Sequence, residues 1–190
     1  MLAFLETSTP ESRLVFHVGS LCAPVLKNLK VANLISMPHG NFRQIRSELN
    51  GSQIRFYVLY MDSDRDLLLL YRKGRMEELL SELKIRQFLS RFGYDAFDIS
   101  SVLKRLRQRY AQYISTRTAF PDEAGVLLGY PLDDVESYIL NRGEKSLIAR
   151  YWKVYHNPSS AEKTFQAYDA AREEVLSEIV RGYSLDQMAV

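Results

Sequence analysis

The chain has 190 residues, of which 25 are basic and 23 acidic, so its formal net charge at pH 7 is +2. This near balance argues against a dedicated nucleic-acid binder, because such proteins usually carry an obvious basic excess. The length suits one domain, and a hydrophobic content of 46% is ordinary for a protein with a buried core. We expect a flexible N-terminus over residues 1–12 and a single globular α+β domain over residues 13–190.

The cysteine content and the apolar runs bear on the compartment. Cys22 is the only cysteine, which excludes an intrachain disulfide and suits a reducing environment. No apolar run approaches the roughly 20 residues that a membrane span needs. The N-terminus begins without the basic segment of a signal peptide. These features predict a cytoplasmic protein that does not enter the membrane.

The first part of the chain predicts two helices and three strands. Runs of β-branched and aromatic residues indicate strands, whereas apolar residues spaced by three and four indicate helices. Asn50-Gly51 is a strong turn signal ahead of a strand hairpin. The expected elements are a helix that opens at residues 10–12 and continues to Cys22, a strand over 31–37, a helix over 42–49, and hairpin strands over 53–61 and 66–72.

The second part of the chain is predominantly helical. Gly129 suits a helix C-terminal cap and Pro131 suits the first turn of the next helix, which predicts a joint between two short helices. Because strands and helices are interleaved without strict βαβ alternation, we expect an α+β fold with a mixed sheet of about four strands, helices packed on it and a helical insert. The expected elements are helices over 76–83, 85–92, 100–114, 122–128 and 132–141, a strand over 149–155, and a long helix over 158–181.

The sequence contains none of the common signatures of catalysis. It has no glycine motif for dinucleotides or phosphates and no nucleophile elbow. Cys22 is a candidate catalytic nucleophile, but none of His17, His39 and His156 places it in a Cys/His protease context. A small buried apolar role is the simpler interpretation. The three histidines form no metal-ligand set either, so no metal site is predicted.

Charged residues near predicted element ends are the candidates for ligand binding. Glu123 and Asp134 flank the 129–131 joint, and Lys30 and Lys153 lie at predicted strands, where burying a charge is costly unless it is paired. Two interpretations stay open: structural ion pairs or helix N-terminal charges, and a polar cluster that grips a small anionic ligand. The full candidate set is Lys30, Asn33, Glu123, Asp134, Lys153 and Tyr155.

A basic helix and an aromatic strand are two further candidate surfaces. Residues 104–109 place Lys and Arg side chains close together, where they could contact phosphates, although the acidic last helix could neutralise them. In the strand expected over 149–155, alternation places Trp152 and Val154 on the inward face and Lys153 on the outward face.

Five short motifs along the chain are specific in combination. They are C-A-P-x-L at 22–26, K-x-A-N-L at 30–34, L-L-x-Y-R within 68–72, F-P-[HD]-E-x-G-x-x-L-G-Y-P-x-x-D-V at 120–135, and Y-W-K-V-Y at 151–155. Over roughly residues 14–189 the chain resembles a family of uncharacterised proteins from anaerobic bacteria, a domain of unknown function. The family pattern has His where this chain has Asp122, so a Cys/His enzyme is less supported here.

The resemblance implies no established activity and names no cofactor. Genes of the family that this chain resembles often lie near iron-uptake and flavodoxin genes, so the resemblance implies a link to iron or redox metabolism. With no catalytic constellation, we expect a small cytoplasmic accessory protein that binds a small molecule or a protein partner. Two alternatives stay open: an enzyme acting on a small anionic or thioester-like substrate through Cys22, and nucleic-acid binding through the basic helix over residues 104–109.

Overall fold

The computed structural model describes residues 9–189. The chain divides into two compact units: unit 1 is Met1–Lys73 with Tyr168–Val190, and unit 2 is Gly74–Ala167. Over the described residues there are nine helices and five strands, which confirms the α+β class. The expectation of one domain over residues 13–190 stays a prediction. Of the N-terminus predicted as flexible, residues 1–8 lie outside the described part.

Unit 1 is a three-stranded antiparallel sheet with helices packed on one face. The strand order is β1-β3-β2, so β3 is central and the other two are edge strands. The elements are α1 (Pro10–Leu26), β1 (Ala32–Pro38), α2 (Phe42–Glu48), β2 (Ile54–Met61) and β3 (Arg65–Arg72), followed late in the chain by the end of α8 (Pro158–Val180) and by α9 (Leu185–Met188). The predicted hairpin is confirmed, because β2 pairs with β3.

Helix α1 begins at a side-chain cap. The Thr9 hydroxyl accepts a hydrogen bond from the Ser12 backbone N–H at 3.2 Å, and Pro10 occupies the first helical turn, where a missing N–H costs nothing. Pro24 does not end the helix, which runs to Leu26. The buried residues Leu14, Val18, Cys22 and Leu26 recur every four positions and therefore form one apolar stripe.

The register of the sheet explains which side chains form the core of unit 1. Leu68 of β3 pairs with Ile35 on one side and Val58 on the other, so the three side chains share one face. The same face carries Leu70 and Phe56. These residues belong to one apolar core with α1. Fully burying a leucine of this kind contributes about 1.5–3 kcal/mol.

Unit 2 contains mostly helices. They are α3 (Lys73–Ser81), which begins one residue before the unit, α4 (Leu83–Ser90), α5 (Ile99–Thr116), α6 (Ala124–Leu127) and α7 (Leu132–Leu140). All five helices predicted between residues 76 and 141 are therefore confirmed. Gly129 has φ +82°, a conformation that glycine adopts without strain, and Pro131 lies directly before α7. The predicted joint between two short helices is confirmed.

The strand content differs from the single mixed sheet of about four strands that we expected. Residues 149–155 do not form a fourth strand of the β1-β3-β2 sheet. Instead, β4 (Ile148–Ala149) pairs with β5 (Lys153–Val154) in a separate two-stranded antiparallel ribbon. The reason is a tight reversal in which the Arg150 N–H donates to the Trp152 carbonyl at 3.2 Å. The predicted facing is nevertheless correct: Trp152 and Val154 are buried and Lys153 is exposed.

No helix within residues 9–189 has both the length and the apolar character that crossing a membrane requires.

Candidate functional site

A groove of about 560 Å³ lies in unit 1 between α2 and the edge strand β2. One wall comes from three residues of the α2 region with spacing i, i+4 and i+7, which places them on one helical face: Phe42, Arg46 and Leu49. The other wall comes from alternate residues of β2, which share one face of the sheet: Ile54, Phe56 and Val58. The groove is therefore a direct product of two regular elements.

Two arginines give the groove its charge. Arg46 and Arg55 both line it and are exposed, and its remaining lining residues include no Asp or Glu. The Nη1 of Arg55 donates to the Ser52 carbonyl at 2.6 Å and to the Ile54 carbonyl at 2.9 Å, which fixes its side chain. Among the described residues, no hydrogen bond or ion pair engages the Arg46 guanidinium or the other nitrogens of Arg55. Both cations are thus available to an anionic ligand.

The helix and the strand that form the groove are both predicted from the sequence, but the groove itself is not. The signal was present, because Phe42, Arg46 and Leu49 have helical spacing and Ile54, Phe56 and Val58 alternate. The periodicity of each element does not show which other element it packs against. Only the tertiary structure shows that these two sets of residues face each other.

The structure brings together three predicted site residues in unit 1: Cys22, Lys30 and Asn33. The Lys30 ammonium donates to Asn33 Oδ1 at 2.6 Å, and Asn33 Nδ2 donates to the Leu21 carbonyl at 3.0 Å. Burial raises the pKa of the Cys22 thiol to about 12, an effect that Lys30 and Asn33 only partly offset. Burial also lowers the pKa of Lys30 to about 8. A buried, protonated thiol is a poor nucleophile, which argues against the Cys22 enzyme.

Glu123 is completely buried in unit 2 and belongs to a hydrogen-bonded ion pair. Arg109 donates from Nε to Oε1 at 2.5 Å and from Nη2 to Oε2 at 3.0 Å, and the Tyr94 hydroxyl donates to Oε1 at 3.2 Å. A bidentate arginine is the geometry that best compensates a buried carboxylate. This pairing raises the pKa of Arg109, and burial followed by the Glu123 charge raises that of Tyr94. These contacts favour a structural role for Glu123.

Asp134, in the first turn of α7, is also buried and accepts three hydrogen bonds. Its Oδ2 accepts from the Trp152 indole N–H at 2.8 Å, and its Oδ1 accepts from the backbone N–H groups of Tyr155 at 2.8 Å and His156 at 2.9 Å. The carboxylate therefore anchors the end of the β4–β5 ribbon. The Tyr155 hydroxyl is buried without a hydrogen-bond partner among the described residues, and burial raises its pKa.

Lys153 is exposed, but its ammonium also has protein partners. It donates to the Gly143 carbonyl at 2.5 Å and lies 5.9 Å from the centre of the Tyr138 ring. Of the six predicted ligand-binding residues, Lys30 and Asn33 thus lie in unit 1 and the other four in unit 2, and each contacts other residues of the chain. Their involvement in ligand binding stays a prediction, and their contacts favour the structural interpretation.

Only some of the basic side chains of helix α5 are free to contact a partner. Arg109 is paired with Glu123, and Arg105 donates from Nε at 3.3 Å and Nη2 at 3.0 Å to the Phe92 carbonyl. Lys104 and Arg107 are exposed. Two of the four cations in residues 104–109 are therefore engaged internally, which weakens the nucleic-acid alternative.

The three histidines make separate contacts. His17 Nε2 donates to the Ser36 carbonyl and His39 Nδ1 to the buried Asp66 carboxylate, each at 2.9 Å, and His156 Nε2 is 2.9 Å from the Ser137 hydroxyl. Within residues 9–189 no three His, Cys, Asp or Glu side chains are grouped so that they could hold a metal ion.

The fold and the groove define a small α+β protein with a basic surface groove whose lining is part polar and part apolar. The chain belongs to the family described as "Protein of unknown function (DUF3793)", whose profile matches residues 19–189. This match confirms the resemblance to a domain-of-unknown-function family. No curated protein and no solved structure matches the chain.

Proposed function

We propose that this protein is a non-enzymatic binding protein whose α2–β2 groove holds an anionic ligand with an apolar portion. The observation that carries the proposal is the pair Arg46 and Arg55 in a groove whose lining is about half apolar and includes no carboxylate. A volume of about 560 Å³ lies within the range of small-ligand sites. Each Å² of apolar ligand surface buried there contributes roughly 25 cal/mol, and the two guanidinium groups favour a negative charge.

The chemistry of the other candidates supports a binding role over catalysis. Cys22 is fully buried, and its thiol is protonated at neutral pH because its pKa is raised to about 12. Glu123 and Asp134 already accept three hydrogen bonds each from the protein. A general base needs a free acceptor within reach of the substrate proton, and these carboxylates offer little capacity for one.

The proposal includes a cytoplasmic location. A single free cysteine in the described residues is in keeping with a compartment that maintains thiols reduced. Fractionation of cells that express the chain tests this part directly, and recovery with the membrane or in the medium would contradict it. The link to iron or redox metabolism stays a prediction.

Paired fluorescent probes test the groove. The anionic probe 8-anilinonaphthalene-1-sulfonate and the neutral N-phenyl-1-naphthylamine differ only by the sulfonate, so their comparison isolates the contribution of charge. An exposed ion pair is worth about 0.2–1 kcal/mol. Arg46→Gln should therefore weaken binding of the sulfonate probe roughly 1.4- to fivefold, and binding of the neutral probe should change little. Fluorescence titration at moderate salt measures both.

Arg43→Gln is the matched control. Arg43 is exposed on the same helix but is not part of the groove lining. This variant should bind both probes like the wild type. The proposal would be wrong if Arg43→Gln and Arg46→Gln lost the same affinity for the sulfonate probe. It would also be wrong if Arg46→Gln lost as much affinity for the neutral probe as for the sulfonate probe, because the groove would then not select for charge.

A further inference from the structure

The hydrogen-bond directions along β3 determine which backbone groups of β2 face outward. The Arg72 N–H donates to the Val31 carbonyl on the β1 side at 3.0 Å, whereas the Lys73 N–H donates to the Gln53 carbonyl on the β2 side at 3.4 Å. Backbone groups alternate in direction along an antiparallel strand. With the observed register, odd-numbered Arg55 and Tyr57 therefore pair with β3, and the intervening residues direct their N–H and C=O groups away from the sheet.

Side chains of the protein occupy the opposite edge of the sheet, at β1. The outward carbonyl of Leu34 accepts from Asn33 Nδ2 at 3.3 Å, and that of Ser36 accepts from His17 Nε2 at 2.9 Å. Such contacts hinder the addition of another strand. The β1 edge is therefore a poor docking surface.

The β2 edge is open at its centre. The outward groups of Ile54 are engaged, because its N–H donates to Ser52 Oγ at 3.2 Å and its carbonyl accepts from Arg55 Nη1 at 2.9 Å. Among the described residues, neither outward group of Phe56 has a hydrogen-bond partner. The Phe56 side chain lines the groove. An unpaired donor and acceptor thus lie directly beside the groove.

The charge of the groove sets the polarity of an added strand. Arg55 lies at the N-terminal end of β2, and Arg46 is in the last turn of α2, close before it in the chain. A strand that adds in antiparallel fashion places its own C-terminal end at the N-terminal end of β2. A terminal carboxylate would then meet the two arginines, whose planar groups suit carboxylates.

The length of the edge limits what can pair. A register shift lies between Val58 and Tyr60 and the outward groups of Ile54 are engaged, so an added strand can pair regularly only with Phe56 and Val58. The three residues from Phe56 to Val58 extend about 10 Å. Every second side chain of an added strand would face the groove, where Phe42 and Leu49 form apolar wall. This favours apolar residues at alternate positions.

We propose that the ligand of the groove is the C-terminal segment of a peptide chain, which adds to β2 as an antiparallel strand, with its carboxylate at Arg46 and Arg55 and its alternate apolar side chains in the groove. This inference rests on the proposed binding function and names the class of partner. Strand addition of this kind derives affinity from main-chain hydrogen bonds and specificity from alternate side chains.

Affinity selection followed by backbone methylation tests the inference. The wild-type protein is incubated with a pool of hexapeptides that have free C-terminal carboxylates and are built from Val, Leu, Phe, Ser, Thr and Asp, and retained peptides are identified by mass spectrometry. The tightest binder is then remade with one N-methyl group at each position in turn. We expect affinity to fall roughly two- to tenfold, and only at alternate positions, because only those N–H groups point toward β2.

Variants of the protein and of the peptide together test whether the peptide carboxylate contacts the groove arginines. Amidation of the peptide C-terminus should weaken binding to the wild type severalfold and should have a smaller effect on binding to Arg46→Gln, which keeps only Arg55 as a partner for the carboxylate. Arg43→Gln should behave like the wild type. In amide NMR spectra the Phe56 N–H should shift and exchange more slowly when the peptide is bound.

Two outcomes would overturn the inference. Either no hexapeptide is retained, or methylation has no alternating effect on a peptide that is retained. If the sulfonate probe still depends on Arg46 in that case, the groove binds a small anion and the proposed function survives without a peptide partner. If neither probe nor peptide depends on Arg46, both proposals are wrong.

Discussion

Asp134 offers the sharpest test of the local structure, because its carboxylate accepts three hydrogen bonds and donates none. Asp134→Asn replaces one acceptor oxygen by an NH₂ group. If the amide oxygen keeps the two backbone N–H groups of Tyr155 and His156, the NH₂ group faces the Trp152 indole N–H. At least one buried donor is then left unsatisfied, whichever way the amide is oriented.

The expected cost follows from this geometry. A hydrogen bond to a charged acceptor contributes about 1.5–3 kcal/mol, and an unsatisfied buried donor adds a desolvation penalty. We expect Asp134→Asn to lower the free energy of unfolding by about 2–4 kcal/mol. Trp152 is the only tryptophan, so its fluorescence during urea unfolding reports the region of the Asp134 contact directly.

Asp133→Asn is the matched control for Asp134→Asn. Asp133 lies in the same first turn of α7 but is exposed, so its loss should cost only the helix-terminal charge effect, about 0.3–1 kcal/mol. Equal costs for the two variants would refute the reasoning. A stable Asp134→Asn that has lost ligand binding would instead return Asp134 to the set of ligand-binding residues.

Three further predictions concern the other buried groups. Arg109→Met leaves the Glu123 carboxylate buried without its main partner and should cost about 3 kcal/mol in urea unfolding. Combining it with Glu123→Leu should restore part of that loss but not all, because the buried Tyr94 hydroxyl then loses its acceptor; a double variant no more stable than the single one would contradict this. Lys30 has a folded-state pKa of about 8, below its ordinary value of 10.5, so the unfolded state binds more protons between these values. As the pH rises through that window, the free energy of unfolding of the wild type should therefore increase by about 3 kcal/mol relative to that of Lys30→Met. If the two proteins showed the same pH dependence of stability, the lowered pKa of Lys30 would be wrong. Cys22 should not react with Ellman's reagent in the native protein but should react fully in guanidinium, because the folded chain buries the thiol completely; rapid native reaction would reopen the enzyme alternative.

Local patterns in the sequence were sufficient for most of the secondary structure. Helices such as α5 and α7 have clear periodicity, and the joint at Gly129 and Pro131 is determined by backbone preferences that act within a few residues. The failure at residues 149–155 has a local cause as well: a run of β-forming residues gave no sign that the chain reverses at Arg150–Trp152. Propensity identifies residues that suit a strand, and pairing decides where the strand ends.

The candidate sites depended far more on tertiary structure. Glu123 and Asp134 are buried, and their partners, Arg109 and Trp152, are 14 and 18 residues away along the chain. Periodicity carries no information about such pairs. The groove was missed for the same reason, because α2 and β2 become its two walls only through the order of strands in the sheet.

The most direct test of the central claim is an amide NMR titration of the ¹⁵N-labelled protein with 8-anilinonaphthalene-1-sulfonate. A ligand in the α2–β2 groove should shift the amides of Phe42–Glu48 and Ile54–Met61 most strongly, and Arg46→Gln should reduce these shifts. Largest shifts near Lys30 and Asn33, or near Asp134, would contradict the account and place the site among the other predicted residues.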